Sequence, residues 1–245
     1  MTTPTYRNEG RLLIAEELSN RAREMFGPLN QGPERRPDLA EDLDALIERG
    51  DRIIKLASDI ALQAEWLLFR DHAMLEVVRN AARSERFLPA FDLARLIAGP
   101  EARSEAFLAL ADVLARSGDR EAHADLATQA FSEAALAIAS LPFCDVRNVL
   151  ARALIDVLIA VGRFEDARAA VVLLDGDLVN LAQALGAVAE SMGRRNLVQS
   201  AQQWIAEVEN DRLRSYLERR LIEGVLSAIN SSRGLNIEAF GAAAP

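Results

Sequence analysis

The sequence predicts an all-α protein, an α-solenoid of about four helical-hairpin repeats with an N-terminal helical extension and a C-terminal capping helix. Three observations lead there. Of 245 residues, 43 are Ala and 35 Leu against 5% aromatics, a composition too apolar for a disordered chain and too poor in β-branched and aromatic residues for an all-β fold. Helical periodicity dominates from Asp38 to Ile229. Within that stretch, segments recur with matching residues at matching offsets. A compact helical bundle is the alternative arrangement of the same helices.

The elements follow in chain order. Glu9–Phe26 reads as one amphipathic helix with Leu12, Leu13, Leu18 and Met25 as its apolar set. Residues 27–37 carry three prolines and two glycines and read as a linker, so residues 1–37 form an extension. Asp38, three residues before Glu41, has the spacing of a capping box and opens the repeat domain, residues 38–230. Inside it, RSEAFLALADVLARSG from Arg103, RNVLARALIDVLIAVG from Arg147 and LVNLAQALGAVAESMG from Leu178 place Ala-Leu at one offset and close on Gly118, Gly162 and Gly193. An earlier copy lacks the Gly and turns at Glu85. A second helical segment follows each turn. Gly accepts the left-handed conformation that ends a helix, and small Ala residues let paired helices approach. A lone hairpin cannot bury its apolar face, so neighbours must stack.

Turn positions 85, 118, 162 and 193 are spaced unevenly, with the longest interval between Gly118 and Gly162. The excess is expected in a long second helix from about Asp119 to Leu141. Residues 211–229 read as the capping helix, with Leu213, Leu217, Leu221, Val225 and Leu226 on one stripe. Residues 231–245 read as a flexible tail carrying Leu235, Ile237 and Phe240 as a short apolar motif.

The copy from Asn148 to about Asp175 resembles a tetratricopeptide-type repeat. Leu154 and Leu158 stand where that family packs its first helix. Gly162-Arg163-Phe164-Glu165-Asp166-Ala167 looks like its turn into the second, and Gly186 matches its small first-helix residue. The resemblance covers roughly residues 71–210. The family's aromatics and closing proline are largely missing, and the spacing departs from its usual thirty-four. The resemblance implies a protein-binding scaffold, because such arrays hold partners along the groove lined by their first helices. Carried over copy by copy, the groove positions are Arg79 and Arg83; Glu105, Asp112 and Arg116; Arg152 and Asp156; and Asn180, Gln183 and Glu190. Arg79, Arg83 and Arg116 would clamp carboxylates of a partner peptide, and Asp112 and Asp156 would take its cations.

The search for chemistry finds little. His72 and His123 lie in no ligand-spaced pair, and the single Cys144 forbids an intramolecular disulfide, so no metal site and no cofactor are expected. Cys144 stands at a helix entry, a setting in which a thiol can be reactive, but packing is its simpler role. Gly193-Arg194-Arg195-Asn196 is read as a repeat turn and not as an anion site. Trp66 is read as core or as a cap on the first repeat, and Trp204 as core. No nucleophile, base and orienter fall together, so no enzyme is expected.

With a formal charge of −9 and one short basic run at Arg212, Arg214, Arg219 and Arg220, nucleic acid is disfavoured. No signal pattern and no uninterrupted apolar span point to a membrane, and the expectation is a cytoplasmic protein. The expected role is a non-catalytic scaffold or adaptor for a protein or peptide partner. A self-assembling structural subunit, connected through its terminal segments, is the alternative and leaves room for a homo-oligomer.

Overall fold

The computed structural model describes residues 4–26, 43–119, 121–176 and 178–241, with the side chains of residues 4–6, 25, 43, 44 and 232–241 outside the description. The described residues are helical, without a strand. The linker at 27–37, the Asp38–Glu41 capping pair and the Met25, Leu235, Ile237 and Phe240 side chains lie outside them. The chain divides into two compact units, Met1–Pro142 and Phe143–Pro245.

Among its described residues the first unit holds six helices: α1 (Pro4–Phe26), α2 (Leu43–Leu62), α3 (Leu67–Arg83), α4 (Phe87–Arg95), α5 (Pro100–Arg116) and α6 (Ala124–Ala139). Helix α1 packs on α2 and α3, α3 pairs with α4 and lies beside α5, and α5 pairs with α6. The core is Phe26, Met74, Val77, Phe91, Phe107, Leu110, Leu114 and Ile138. Fully buried alanines, among them Ala81, Ala90, Ala106, Ala111, Ala130 and Ala134, bring the helix axes close. The chain's one lysine, Lys55, is exposed on α2.

Helix α1 turns a different face inward from the one its leucines suggest. Leu13 is 64% exposed, and the buried stripe is Asn8, Ala15, Ser19, Ala22 and Phe26. The reason is hydrogen bonding. Asn8 Oδ1 accepts the Glu65 N–H at 2.9 Å, and Asn80 Nδ2 on α3 donates to Ser19 Oγ at 2.8 Å. These polar groups need partners inside the protein, and the small residues between them allow the close approach such bonds require.

Helix α6 is shorter than the expected Asp119–Leu141 helix. Ser117 leaves α5 in an extended conformation, Asp119 Oδ1 accepts the Ala122 N–H at 3.3 Å, and the helix begins only at Ala124. This turn takes part of the excess chain, and the rest is in α6 as expected, with 16 residues against nine in α4.

The second unit comprises α7 (Asp145–Val161), α8 (Phe164–Ala170) followed by one 3-10 turn (Val171–Leu173), α9 (Leu178–Arg194), α10 (Val198–Ala206) and α11 (Asp211–Gly241). Helices α7 and α8 form a hairpin against α9. Helix α11 lies along α9 and touches α10. Leu154, Ile155, Leu158, Val188, Met192, Trp204, Ile205, Leu217 and Leu221 fill its core. Leu217 and Leu221 carry the expected inner stripe of α11, whereas Leu226 points to solvent. Helix α11 continues to Gly241, through residues assigned to a tail on sequence.

Three helix ends share one geometry. After α3, α7 and α9, the left-handed residues are Glu85 (φ 60°), Gly162 (φ 85°) and Asn196 (φ 59°). In each, the next residue's N–H reaches five residues back: Arg86 to Ala81 O at 2.9 Å, Arg163 to Leu158 O at 2.8 Å and Leu197 to Met192 O at 2.9 Å. This is the Schellman closure, which satisfies carbonyls the helix leaves unpaired. Gly162 is therefore a turn glycine, as its place in the repeat suggests. Gly118 adopts no left-handed φ, and Gly193 lies inside α9. A Cβ on Gly193 would stand 2.4 Å from Leu221 O, and one on Gly224 2.0 Å from Glu190 O. The two glycines let the α9 and α11 backbones touch, so Gly193 serves packing and the turn falls three residues later.

Candidate functional site: an open cleft between α3 and α5

The first turns of α3 and α5 enclose a cleft of about 590 Å³ in the first unit. Leu67, Leu68, Leu75, Ala102 and Leu141 give it an apolar floor, and Asp71, His72, Arg79, Glu101 and Glu105 supply its polar groups. Leu68 is 80% exposed, and Trp66, just before it, 46%. Trp66 packs against Phe69 with ring centroids 5.7 Å apart, at the N-cap of α3, so it is a half-exposed ledge and not core.

Asp71 builds the cleft's back wall. It is 4% exposed, and its carboxylate accepts the Gly99 N–H at 2.6 Å and the Ala98 N–H at 3.3 Å. Gly99 is the N-cap of α5 and Pro100 begins the helix, so Asp71 on α3 fixes where α5 starts. Arg70 Nε lies 3.8 Å from the same carboxylate. A buried carboxylate with two backbone donors is a structural group. His72 is half-exposed, 3.9 Å from Glu16 Oε1 on α1.

Arg79 closes the far end. Its guanidinium donates to Glu76 Oε1 at 2.6 Å and to Glu105 Oε2 at 2.7 Å, the second bond joining α3 to α5. Two of the expected partner-binding residues, Arg79 and Glu105, are thus brought together and satisfy each other. Asp112 and Arg116 form an (i, i+4) ion pair on α5 at 2.7 Å. Arg83 is exposed on α3.

The other five lie in the second unit. Arg152 is half-buried on α7, with Nη1 enclosed and without a hydrogen-bond partner, and Asp156 is exposed one turn later. Asn180 is half-buried and Gln183 exposed on α9. Glu190 is bound from two sides, by Arg194 one turn on and by Arg220 of α11, which also donates to Glu223 Oε2 at 2.7 Å. Glu190 thereby ties α9 to α11, next to the Gly193–Gly224 contact.

Three structural roles escaped sequence reasoning. Arg86 on the α3–α4 turn pairs with Asp51 of α2, at 2.8 Å from Nε to Oδ1, and its guanidinium lies 5.3 Å from the Phe26 ring centroid. Arg195 donates to the α7 carbonyls of Ile159 at 3.2 Å and Ala160 at 2.6 Å, while covering the Phe164 ring. Arg147, buried in α7, donates from Nε to Leu173 O at 2.9 Å and lies 4.1 Å from the Phe143 centroid. Arg86 and Arg195 each stand beside a left-handed turn residue and Arg147 lies inside α7, but the hydrogen-bond partner of each is distant in sequence. Elsewhere, Cys144 is a half-buried free thiol at the N-cap of α7, and His123 packs edge-on to Phe87 at 4.8 Å. Trp204 is 6% exposed, its Nε1 donating to Met192 Sδ at 3.4 Å, as a core residue would.

Among the described residues, no three His, Cys, Asp or Glu side chains are grouped to hold a metal, and no helix is long and apolar enough to cross a membrane. No protein-family model, curated protein or solved structure matches the chain.

Proposed function

We propose that this chain is a non-catalytic scaffold that holds a partner protein or peptide on the first helices of its hairpins, with hairpins stacked side by side within each unit in the manner of a short solenoid. One observation carries the reading: an open cleft with leucines exposed on its floor lies between the first helices α3 and α5. Exposed leucines beside a concavity lose water contact only when something covers them, and that gain favours a partner. The Schellman turns and buried alanines support the repeat description, since they give hairpins of similar shape at different places in the chain.

The test is a native-mass measurement on the purified chain, beside the same chain recovered with its company from its own cell extract. A monomer that returns with a stoichiometric partner supports the scaffold. Reversing charge at Arg83 and Arg116 in the first unit, or at Asp156 in the second, should weaken that capture, and unchanged capture would remove those positions from the binding faces.

A second reading, a self-assembling structural subunit, rests on α11. Ile222, Leu226 and Ile229 are exposed at positions i, i+4 and i+7 of that helix. This is the spacing of an apolar seam between helices. A defined homo-oligomer without company in the native-mass measurement would favour it, and Leu226→Glu should then release monomers.

A further inference from the structure

The α3–α5 cleft differs from a generic apolar groove in the charges at its rim. Asp71 is taken up by two backbone N–H groups and neighbouring Arg70. Arg79 is outnumbered by Glu76 and Glu105, both bonded to it. Glu101 is exposed in the first turn of α5, and Glu16 faces His72 from α1. Around an apolar floor, carboxylates exceed guanidinium groups, and each guanidinium already faces a carboxylate. An incoming carboxylate would therefore compete with Glu76 and Glu105 for Arg79 and meet repulsion from Glu101, whereas an incoming cation meets unspent negative potential.

We infer that this cleft takes a basic amphipathic peptide segment of a partner protein, with large apolar side chains on the Leu67–Leu68–Leu75 floor and Lys or Arg against Glu101. The inference rests on the scaffold reading and makes it specific. It also reverses the assignment that the repeat resemblance implies for Arg79. That residue is a strut between α3 and α5 and not a carboxylate clamp.

The experiment uses the full chain and two short fluorescent peptides of identical apolar pattern, one built of Leu and Lys and the other of Leu and Glu, followed by fluorescence anisotropy. Binding of the Leu/Lys peptide is expected, with the Leu/Glu peptide bound at least tenfold more weakly. The decisive variant is Leu68→Glu, at a side chain exposed enough to change without disturbing the fold. Adding a negative charge would strengthen any non-specific attraction of a cationic peptide to an acidic protein. Seated in the cleft, the same peptide loses an apolar contact and should bind roughly tenfold more weakly. Unchanged or tighter binding by Leu68→Glu overturns the inference. Glu101→Lys should likewise weaken the Leu/Lys peptide.

If the Leu/Glu peptide binds better and Leu68→Glu abolishes it, the basic assignment is wrong while the scaffold reading survives. If neither peptide binds, the inference falls, and the scaffold reading stands or falls separately on recovery of a partner. A chain that is dimeric alone and split by Leu68→Glu would show a second copy in the cleft, which also overturns the inference.

Discussion

Asp71 holds the start of α5 through two backbone N–H groups, so its replacement should be felt well beyond its own site. Asp71→Ala leaves the Ala98 and Gly99 donors unpaired behind the cleft, with an expected loss of about 2–3 kcal/mol in denaturant unfolding. The left-handed residues give a sign test. Glu85 carries a Cβ in a conformation that costs an L-residue roughly 1–2 kcal/mol, so Glu85→Gly should stabilise the chain by up to about 1 kcal/mol after glycine's extra entropy in the unfolded state. Gly162→Ala should destabilise by about 1–2 kcal/mol, the more so because the new Cβ would stand 2.6 Å from Arg195 Nη1. Both effects read directly as shifts in midpoint at constant slope. Gly162 was legible in the sequence from its place at the end of a repeat copy, a signal that misled at Gly118 and Gly193. The repeat register also placed a turn at Glu85, although nothing in a Glu announces a left-handed φ. Asn196 was hidden behind a nearer glycine whose absent side chain serves packing.

At the scale of the element, α9 and α11 are joined by a backbone contact and a charge cluster at the same place. A side chain at Gly224 has no room against Glu190 O, so Gly224→Val should push the helices apart and cost about 3 kcal/mol, with the loss visible as earlier exposure of Trp204. Helix α7 was the most readable element: its alternation of Leu, Ile and Val with polar residues matches its buried stripe, Leu150, Leu154, Ile155 and Leu158. Helix α1 was the least. Its inward face is built from Asn, Ser and Ala, while Leu13 and Ile14 face outward, so apolarity alone pointed to the wrong side. The cleft was obscured for a related reason. Trp66-Leu67-Leu68-Phe69 reads as core wherever burial is inferred from composition, and only the crossing of α3 with α5 leaves Leu67 and Leu68 uncovered. Equally, Arg79–Glu105 and Glu190–Arg220 each join helices through residues that look, one at a time, like solvated charges.

At the scale of the whole molecule, each unit has its own core and its own tryptophan: Trp66 in the first, half-exposed, and Trp204 in the second, buried. With Trp204→Phe or Trp66→Phe, the remaining indole reports on one unit alone. The expectation is two distinct unfolding midpoints in urea, and a single coincident transition would show the units to be one cooperative body. The all-helical class follows from composition and period, because an Ala- and Leu-rich chain with few β-branched residues has little else to form. The division at Pro142–Phe143 did not follow, since it depends on which helices bury one another, and the repeat pattern runs across it.

The lone lysine on α2 gives the first unit a further property. A lysine-specific endoproteinase has a single side chain to recognise, and the peptide bond after Lys55 lies within a helix running from Leu43 to Leu62. A protease must accept that bond in an extended conformation, so cutting waits on the opening of α2. When closing outpaces cleavage, the rate at which the chain is nicked measures the free energy of the least costly opening that frees α2.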